Sequence, residues 1–171
     1  MRIVKGTYAG RALTSPGGTV RPTPEHVRDR CMELVASELE GARVLDLFAG
    51  SGALGLEALS RGARSADFVE NGAQALHSLK ANVAALRERN RTRIFKRDVI
   101  PWLRGLDRGA YDVAFVDPPY GSRKLDRVVE RWRDVPFAHV LVLEHGKDHE
   151  LELGGERIDF EGPTCITILR A

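Results

Sequence analysis

The stretch Val44-Leu45-Asp46-Leu47-Phe48-Ala49-Gly50-Ser51-Gly52-Ala53-Leu54-Gly55 constrains this chain more than any other. Apolar residues around Asp46 read as a buried strand, and the G-x-G-x-x-G that follows supplies a tight turn into a helix. A strand–loop–helix unit of this kind needs a parallel neighbour, so the fold class is α/β. The rest of the chain repeats the rhythm. Strands are expected at Ser65–Glu70, Arg93–Lys96, Tyr111–Val116 and His139–Glu144. Between them, helices are expected over Ala53–Arg61, Ala73–Arg89, around Trp102 and Leu103, and over Leu125–Trp132. The tail breaks the rhythm: Glu156–Phe160 and Thr164–Leu169, separated by Gly162-Pro163, predict an antiparallel edge hairpin on a mostly parallel sheet.

The first forty residues form a basic appendage to this core, with a hairpin over Arg2–Leu13 and a turn at Ser15-Pro16-Gly17-Gly18. A helix then starts with Thr23 as N-cap and Pro24 at its first position, and runs to about Leu39. The expected organisation is one domain over residues 1–171, with the appendage at 1–40 and the core at 41–171. No run of about 18 apolar residues exists, which excludes a helical membrane span. The N-terminus lacks the apolar segment of a signal peptide, so a cytoplasmic protein is expected, as a monomer. Cys31 and Cys165 make neither a disulfide framework nor a zinc site, and both are expected as packed thiols.

The net charge of +2 conceals an uneven distribution. Only five of the 26 basic residues are lysine, and arginine's planar fork suits phosphates and base edges. Basic side chains dominate residues 1–30, 87–108 and 123–133, whereas acids dominate 144–161.

The glycine loop alone leaves the ligand open between NAD and another adenosyl cofactor. Asp46 favours a cationic ligand, because its charge inside the strand that feeds the loop repels a pyrophosphate and attracts the sulfonium and ammonium of S-adenosylmethionine. The same carboxylate can instead serve as an acceptor for the loop amides. Glu70, at the tip of the second strand, can accept from both ribose hydroxyls. Asp98, after the third strand, can accept from the adenine amine or cap the short helix that follows. All three acids lie at strand ends, where open α/β sheets bind ligands.

Asp117-Pro118-Pro119-Tyr120 follows the fourth strand at the same edge. Two prolines stiffen the turn and fix its carbonyl acceptors. The Asp117 carboxylate and the Pro118 carbonyl can accept the two hydrogens of an exocyclic base amine and free its lone pair, while Tyr120 can stack on the base.

Taken together, Asp46 to Ala58 and Asp117-Pro118-Pro119-Tyr120 resemble the class I amino-methyltransferases with their Rossmann-like fold. More narrowly, Arg2-Ile3-Val4, Gly6, Gly10-Arg11 and Leu13, then Arg21-Pro22-Thr23 and Val27-Arg28, resemble the RsmD-like family, the bacterial 16S ribosomal RNA guanine-N2 methyltransferases. The resemblance spans residues 2 to about 170, with Asn71-Gly72 where that family carries a charged pair. It implies S-adenosylmethionine as donor, held by Asp46, Phe48, Gly50, Gly52, Glu70 and Asp98. It implies the N2 amine of one guanosine in 16S ribosomal RNA as acceptor, within assembling 30S subunits, with Asp117, Pro118 and Tyr120 at the reacting amine. Arg2, Lys5, Arg11, Arg21 and Arg28 are then expected on RNA phosphates.

Three other readings remain open at this level. They are an amino-methyltransferase on adenine N6, an NAD-dependent oxidoreductase, and a non-catalytic RNA-binding assembly factor. Glu144-His145 and His149 lack a clean metal-ligand spacing, so no metal is expected. Trp102 and Trp132 read as core residues.

Overall fold

The computed structural model describes residues 1–17, 22–151 and 154–171. Among these residues, seven strands form one sheet: β1 (Arg43–Leu47), β2 (Ser65–Glu70), β3 (Thr92–Lys96), β4 (Tyr111–Val116), β5 (Ala138–Gly146), β6 (Glu156–Asp159) and β7 (Thr164–Arg170). Their spatial order is β3-β2-β1-β4-β5-β7-β6. The first five run parallel, whereas β7 pairs antiparallel with β5 and with β6. The order reverses between β1 and β4, the place beyond whose strand ends open α/β sheets bind ligands.

Among the described residues, six α-helices accompany the sheet: α1 (Glu25–Leu34), α2 (Ala36–Leu39), α3 (Ala53–Ser60), α4 (Ala73–Ala85), α5 (Val99–Leu103) and α6 (Lys124–Asp134). Side chains alternate between the two faces of a strand, so each strand feeds two cores. Val44, Phe68, Val113, Phe115, Val140 and Val142 pack toward α1, α3, α4 and the N-terminal arm. Leu45, Leu47, Val69, Ala114, Val116, Leu141 and Leu143 pack toward α5 and α6. Parity then places the acids. Asp46, Glu70, Asp117 and Glu144 each lie an even number of residues from a side chain of the first set, which puts them on the face that carries the arm.

Several expected boundaries shift. The single helix expected over 23–39 divides at buried Val35 (φ −119°, ψ 20°), and Pro24 rather than Thr23 occupies the cap position of α1. The Arg2–Leu13 hairpin reduces to one bridge, Arg2 with Ala12, supported by donation from Ile3 N to Arg11 O and from Leu13 N to Met1 O. Helix α4 stops at Ala85 because Arg87 turns left-handed (φ 59°), and a single 3-10 turn at Arg89–Arg91 leads into β3.

The arm is fixed to α3 by one buried carboxylate. Glu57 accepts from the amides of Val4 and Lys5, both at 2.9 Å, and pairs with Arg28 at 3.3 Å and Arg61 at 2.7 Å. The aromatic and thiol expectations hold: Trp132 is buried and donates to the Ala138 carbonyl, half-buried Trp102 packs on Phe95, and Cys31 and Cys165 are buried free thiols.

Candidate active site

The glycine loop is built from left-handed backbone at Phe48 (φ 59°), Gly50 (φ 57°) and Gly52 (φ 80°). Its glycines serve two purposes. A Cβ on Gly50 would meet nothing nearer than the Phe48 carbonyl at 4.0 Å, so this backbone lies open to the crevice. A Cβ on Gly55 would fall 2.4 Å from the Phe68 ring, and one on Gly52 would fall 2.4 Å from a Leu79 methyl. Those two glycines permit close helix–sheet packing instead.

Asp46 does not project into the crevice. It shares the face of Glu70, Asp117 and Glu144, but its buried carboxyl lies under the loop, where it accepts from the Gly55 amide at 2.9 Å. Burial pushes its pKa up to about 8, against the pull of that hydrogen bond and with a smaller push from Glu70. Of its two possible roles, brace for the loop is the one realised, and the repulsion argument against a pyrophosphate loses its short-range contact. Glu70 is partly exposed at the end of β2 and accepts from the amides of Gly50 (2.8 Å), Asn71 (2.9 Å) and Gly72 (2.7 Å). It therefore ties the loop to the start of α4. Asn71 and Gly72 contribute backbone amides to this tie, for which no charged pair is needed. Asp98 is exposed and caps α5, accepting from Ile100 N at 3.3 Å. Phe48 lies half-buried at the loop's start with the Lys124 ammonium 5.6 Å from its ring centre.

A second acid pair forms beside the first. Asp117 directly follows β4 and Glu144 lies near the end of the adjoining β5. The hydroxyl of Thr23 reaches both carboxyls, at 3.2 Å from Asp117 and 3.0 Å from Glu144. Thr23 is thus committed to these acids, which is why it does not cap α1. Burial first, and the Glu144 charge second, hold the Asp117 carboxyl well above the usual carboxylate range. Pro118 is buried behind Asp117. Tyr120 is 50% exposed, and its hydroxyl shares a 2.9 Å hydrogen bond with Thr164 of β7. The exposed Tyr120 ring and the two acids thus lie at the same edge of the sheet.

The expected RNA contacts separate into distinct groups. Arg28 is fully buried against Glu57 and donates to the Arg2 carbonyl, which removes it from any surface that meets phosphate. Arg2 and Lys5 are exposed, but Arg2 pairs with Glu25 and Lys5 pairs with Asp29 and Glu33. Exposed Arg11 donates to the Ala85 carbonyl. Arg21 lies outside the described residues. Sequence reasoning missed Thr23 and Glu144 as site residues; the parity of Glu144 with Val140 and Val142 is the signal that locates it.

His145, one residue on, has the opposite parity and is satisfied internally by Thr167 and the Gly146 carbonyl, each at 2.9 Å. Among the described residues, no group of three or more metal-ligating side chains comes together. No helix among the described residues is long and apolar enough to cross a membrane.

The family model described as Conserved hypothetical protein 95 matches residues 1–156. The chain belongs to this family. Its relatives include "Putative rRNA methyltransferase YlbH" of Bacillus subtilis, 32% identical over 157 residues, which covers 88% of this chain and 85% of the relative. "Ribosomal RNA small subunit methyltransferase D" of Escherichia coli K12 is 35% identical over 136 residues, covering 78% of this chain and 67% of the relative. Among solved structures, "Putative methyltransferase yhhF from Escherichia coli" superposes with a TM-score of 0.86 at 27% identity, covering 98% of this chain and 96% of that one. The family carries the class I methyltransferase architecture, and the seven-stranded sheet with its antiparallel edge is that architecture.

Proposed function

We propose that this protein transfers a methyl group from S-adenosylmethionine to the N2 amine of a guanosine in small-subunit ribosomal RNA, within assembling 30S subunits. The observation that carries the reading is the Asp117-Pro118-Pro119-Tyr120 turn, with a half-buried acid, a rigid carbonyl and an exposed ring, set beside an open glycine loop. Membership of a family whose named relatives are ribosomal RNA methyltransferases supports it.

The loop fits the methyl donor on three counts. Gly50 leaves its backbone bare to the crevice. Glu70 stands partly exposed beside it, and Asp98 lies exposed after the next strand end. Phe48, Gly50, Glu70 and Asp98 would line the adenosyl group, with Gly52 and Asp46 supporting the loop from beneath. When bound, the donor supplies an electrophilic methyl on a sulfonium.

The remaining chemistry belongs to the chain. Asp117 and the Pro118 carbonyl accept the two amine hydrogens and localise the nitrogen lone pair. Tyr120 holds the base by stacking, which requires that the guanosine be unstacked from its RNA. As the carbon–sulfur bond breaks and the carbon–nitrogen bond forms, one amine proton leaves nitrogen. An acid whose proton affinity is raised by burial and by Glu144, as that of Asp117 is, suits the task of taking it. Among the described residues, Arg2, Lys5 and Arg11 are exposed on the arm, and phosphate would replace the surface ion pairs that Arg2 and Lys5 make. Arg87 and Arg89, exposed after α4, extend that surface, whereas Arg91 and Arg93 are engaged by Glu88 and Asp67.

Methyl transfer to undermethylated 30S subunits, followed by mapping of the modified base, tests the proposal. Asp117→Ala is expected to lower transfer at least a hundredfold and to leave S-adenosylmethionine binding, read by calorimetry, within about threefold. Full activity in that variant would overturn the mechanism, and binding of NAD in place of S-adenosylmethionine would overturn the assignment.

A further inference from the structure

Charge sets one corner of the molecule apart. Residues 71–97 carry seven Lys or Arg side chains and one acid, Glu88. That acid is buried, where it pairs with Arg91 and accepts from the Tyr8 hydroxyl. Asp67, on the neighbouring β2, pairs with Arg93. Lys80, Arg87 and Arg89 are exposed and, among the described residues, make no ion pair. Lys80 and Arg89 line one cleft of about 320 Å³ between α4 and β3, together with Thr92 and the apolar Val83 and Ile94. The Thr92 hydroxyl is committed to the Glu88 carbonyl at 2.9 Å, so the side-chain donors left free in the cleft are the two cations.

The end of α4 adds a second observation. Arg87 N donates to Ala84 O and Glu88 N donates to Val83 O, each at 3.0 Å, the bond pair that closes a helix on a left-handed residue. Glycine fits that position without strain, yet Arg87 holds it at φ 59°. Its side chain is exposed, so the strain secures a charge in solvent rather than a packing contact. Arg11 joins the same helix end, where its guanidinium donates to the Ala85 carbonyl. This patch stands away from Asp117. Thr92 opens β3, and β3 lies three strand spacings from β4, roughly 14 Å across the sheet.

We propose, on the ribosomal RNA reading above, that the α4–β3 cleft and the cations around it bind the sugar–phosphate backbone of the small-subunit RNA at a distance from the target nucleotide. Phosphate oxygens would meet Lys80, Arg87 and Arg89, with ribose carbons against the apolar floor. Such contacts carry no base information; they fix where the enzyme sits on the RNA, and so which nucleotide reaches Asp117.

Undermethylated 30S subunits, over a range of salt concentrations, provide the test. The double variant Lys80→Ala, Arg89→Ala is expected to raise KM for subunits at least tenfold at low salt and to lower the slope of log affinity against log salt by about two. The loss falls on KM rather than kcat, and S-adenosylmethionine affinity stays within about twofold. Arg87→Gly removes a cation and relieves its backbone, so it is expected to keep or raise the urea midpoint while weakening subunit binding at least threefold. A packing role for Arg87 would lower the midpoint instead.

Asn90→Cys, exposed in the 3-10 turn beside Arg89, identifies the partner when labelled with a photo-cross-linker, because Cys31 and Cys165 are buried. Cross-linking to 16S RNA sustains the proposal; cross-linking to ribosomal protein alone, or to neither, overturns it. Unchanged KM and salt slope in the double variant also overturn it. Should the double variant fail to fold, Arg87→Gly and the cross-link decide. A wild-type enzyme that neither binds nor methylates the subunits overturns the ribosomal RNA reading, and the proposal with it.

Discussion

Asp46 is a carboxyl kept under a loop it supports, and its protonation is coupled to folding. Its folded pKa of about 8 lies above the ordinary 3.8, so between those values the folded chain holds a proton that the unfolded chain has released. The contribution to stability is complete below about pH 4 and is lost as pH rises through about 8. Urea unfolding of the wild type against Asp46→Asn is expected to give a stability difference that changes by about 1.4 kcal/mol per pH unit across that window. Parallel pH profiles would show that the group is solvated in solution. The sequence placed Asp46 in the right strand, and period-2 alternation already determined its face. What sequence left open was distance. Whether the carboxyl reached the crevice or the Gly55 amide depended on how closely α3 packs, which Gly55 and Phe68 decide together.

At the level of elements, the strand–loop–helix unit divides its glycines between support and access, and substitutions separate the two. Gly55→Ala forces a methyl to 2.4 Å from the Phe68 ring and is expected to destabilise by about 1–3 kcal/mol, read by chemical denaturation. Gly50→Ala meets open space, so only its left-handed backbone is strained, at about 1–2 kcal/mol. It is expected to weaken S-adenosylmethionine binding more than tenfold by filling the open side of the loop, whereas Gly55→Ala binds normally while folded. The parallel strands, the edge hairpin and the order of helices were legible because apolar runs and turn residues mark them locally. The cap of the first helix was not, because Thr23 forgoes that role for two acids 94 and 121 residues away. Local rules carry no information about such partners.

The molecule as a whole bears a net charge of +2, and its cations are not equivalent. Arg28 is a buried strut, and removing it leaves Glu57 short of a partner. Arg28→Ala is expected to cost about 3–5 kcal/mol in urea unfolding, and the conservative reading of it as a phosphate contact predicts almost no cost. Arg11 is exposed and donates to a backbone carbonyl. Arg11→Ala is expected to leave stability within about 0.5 kcal/mol and to reduce the slope of log affinity against log salt by about one for small-subunit RNA. Composition and position had grouped these residues together, and burial separates them.

The bond from Thr23 to Glu144 joins parts of the chain 121 residues apart, whereas the tie from Gly50 to Glu70 spans only 20. Loops of such different length close at different rates, because the longer closure waits on more of the intervening structure. The donor-binding half of the crevice can therefore assemble from a short local segment, and the base-handling half only after β5 has joined the sheet. In a refolding time course, the capacity to bind S-adenosylmethionine is expected to return before the capacity to methylate.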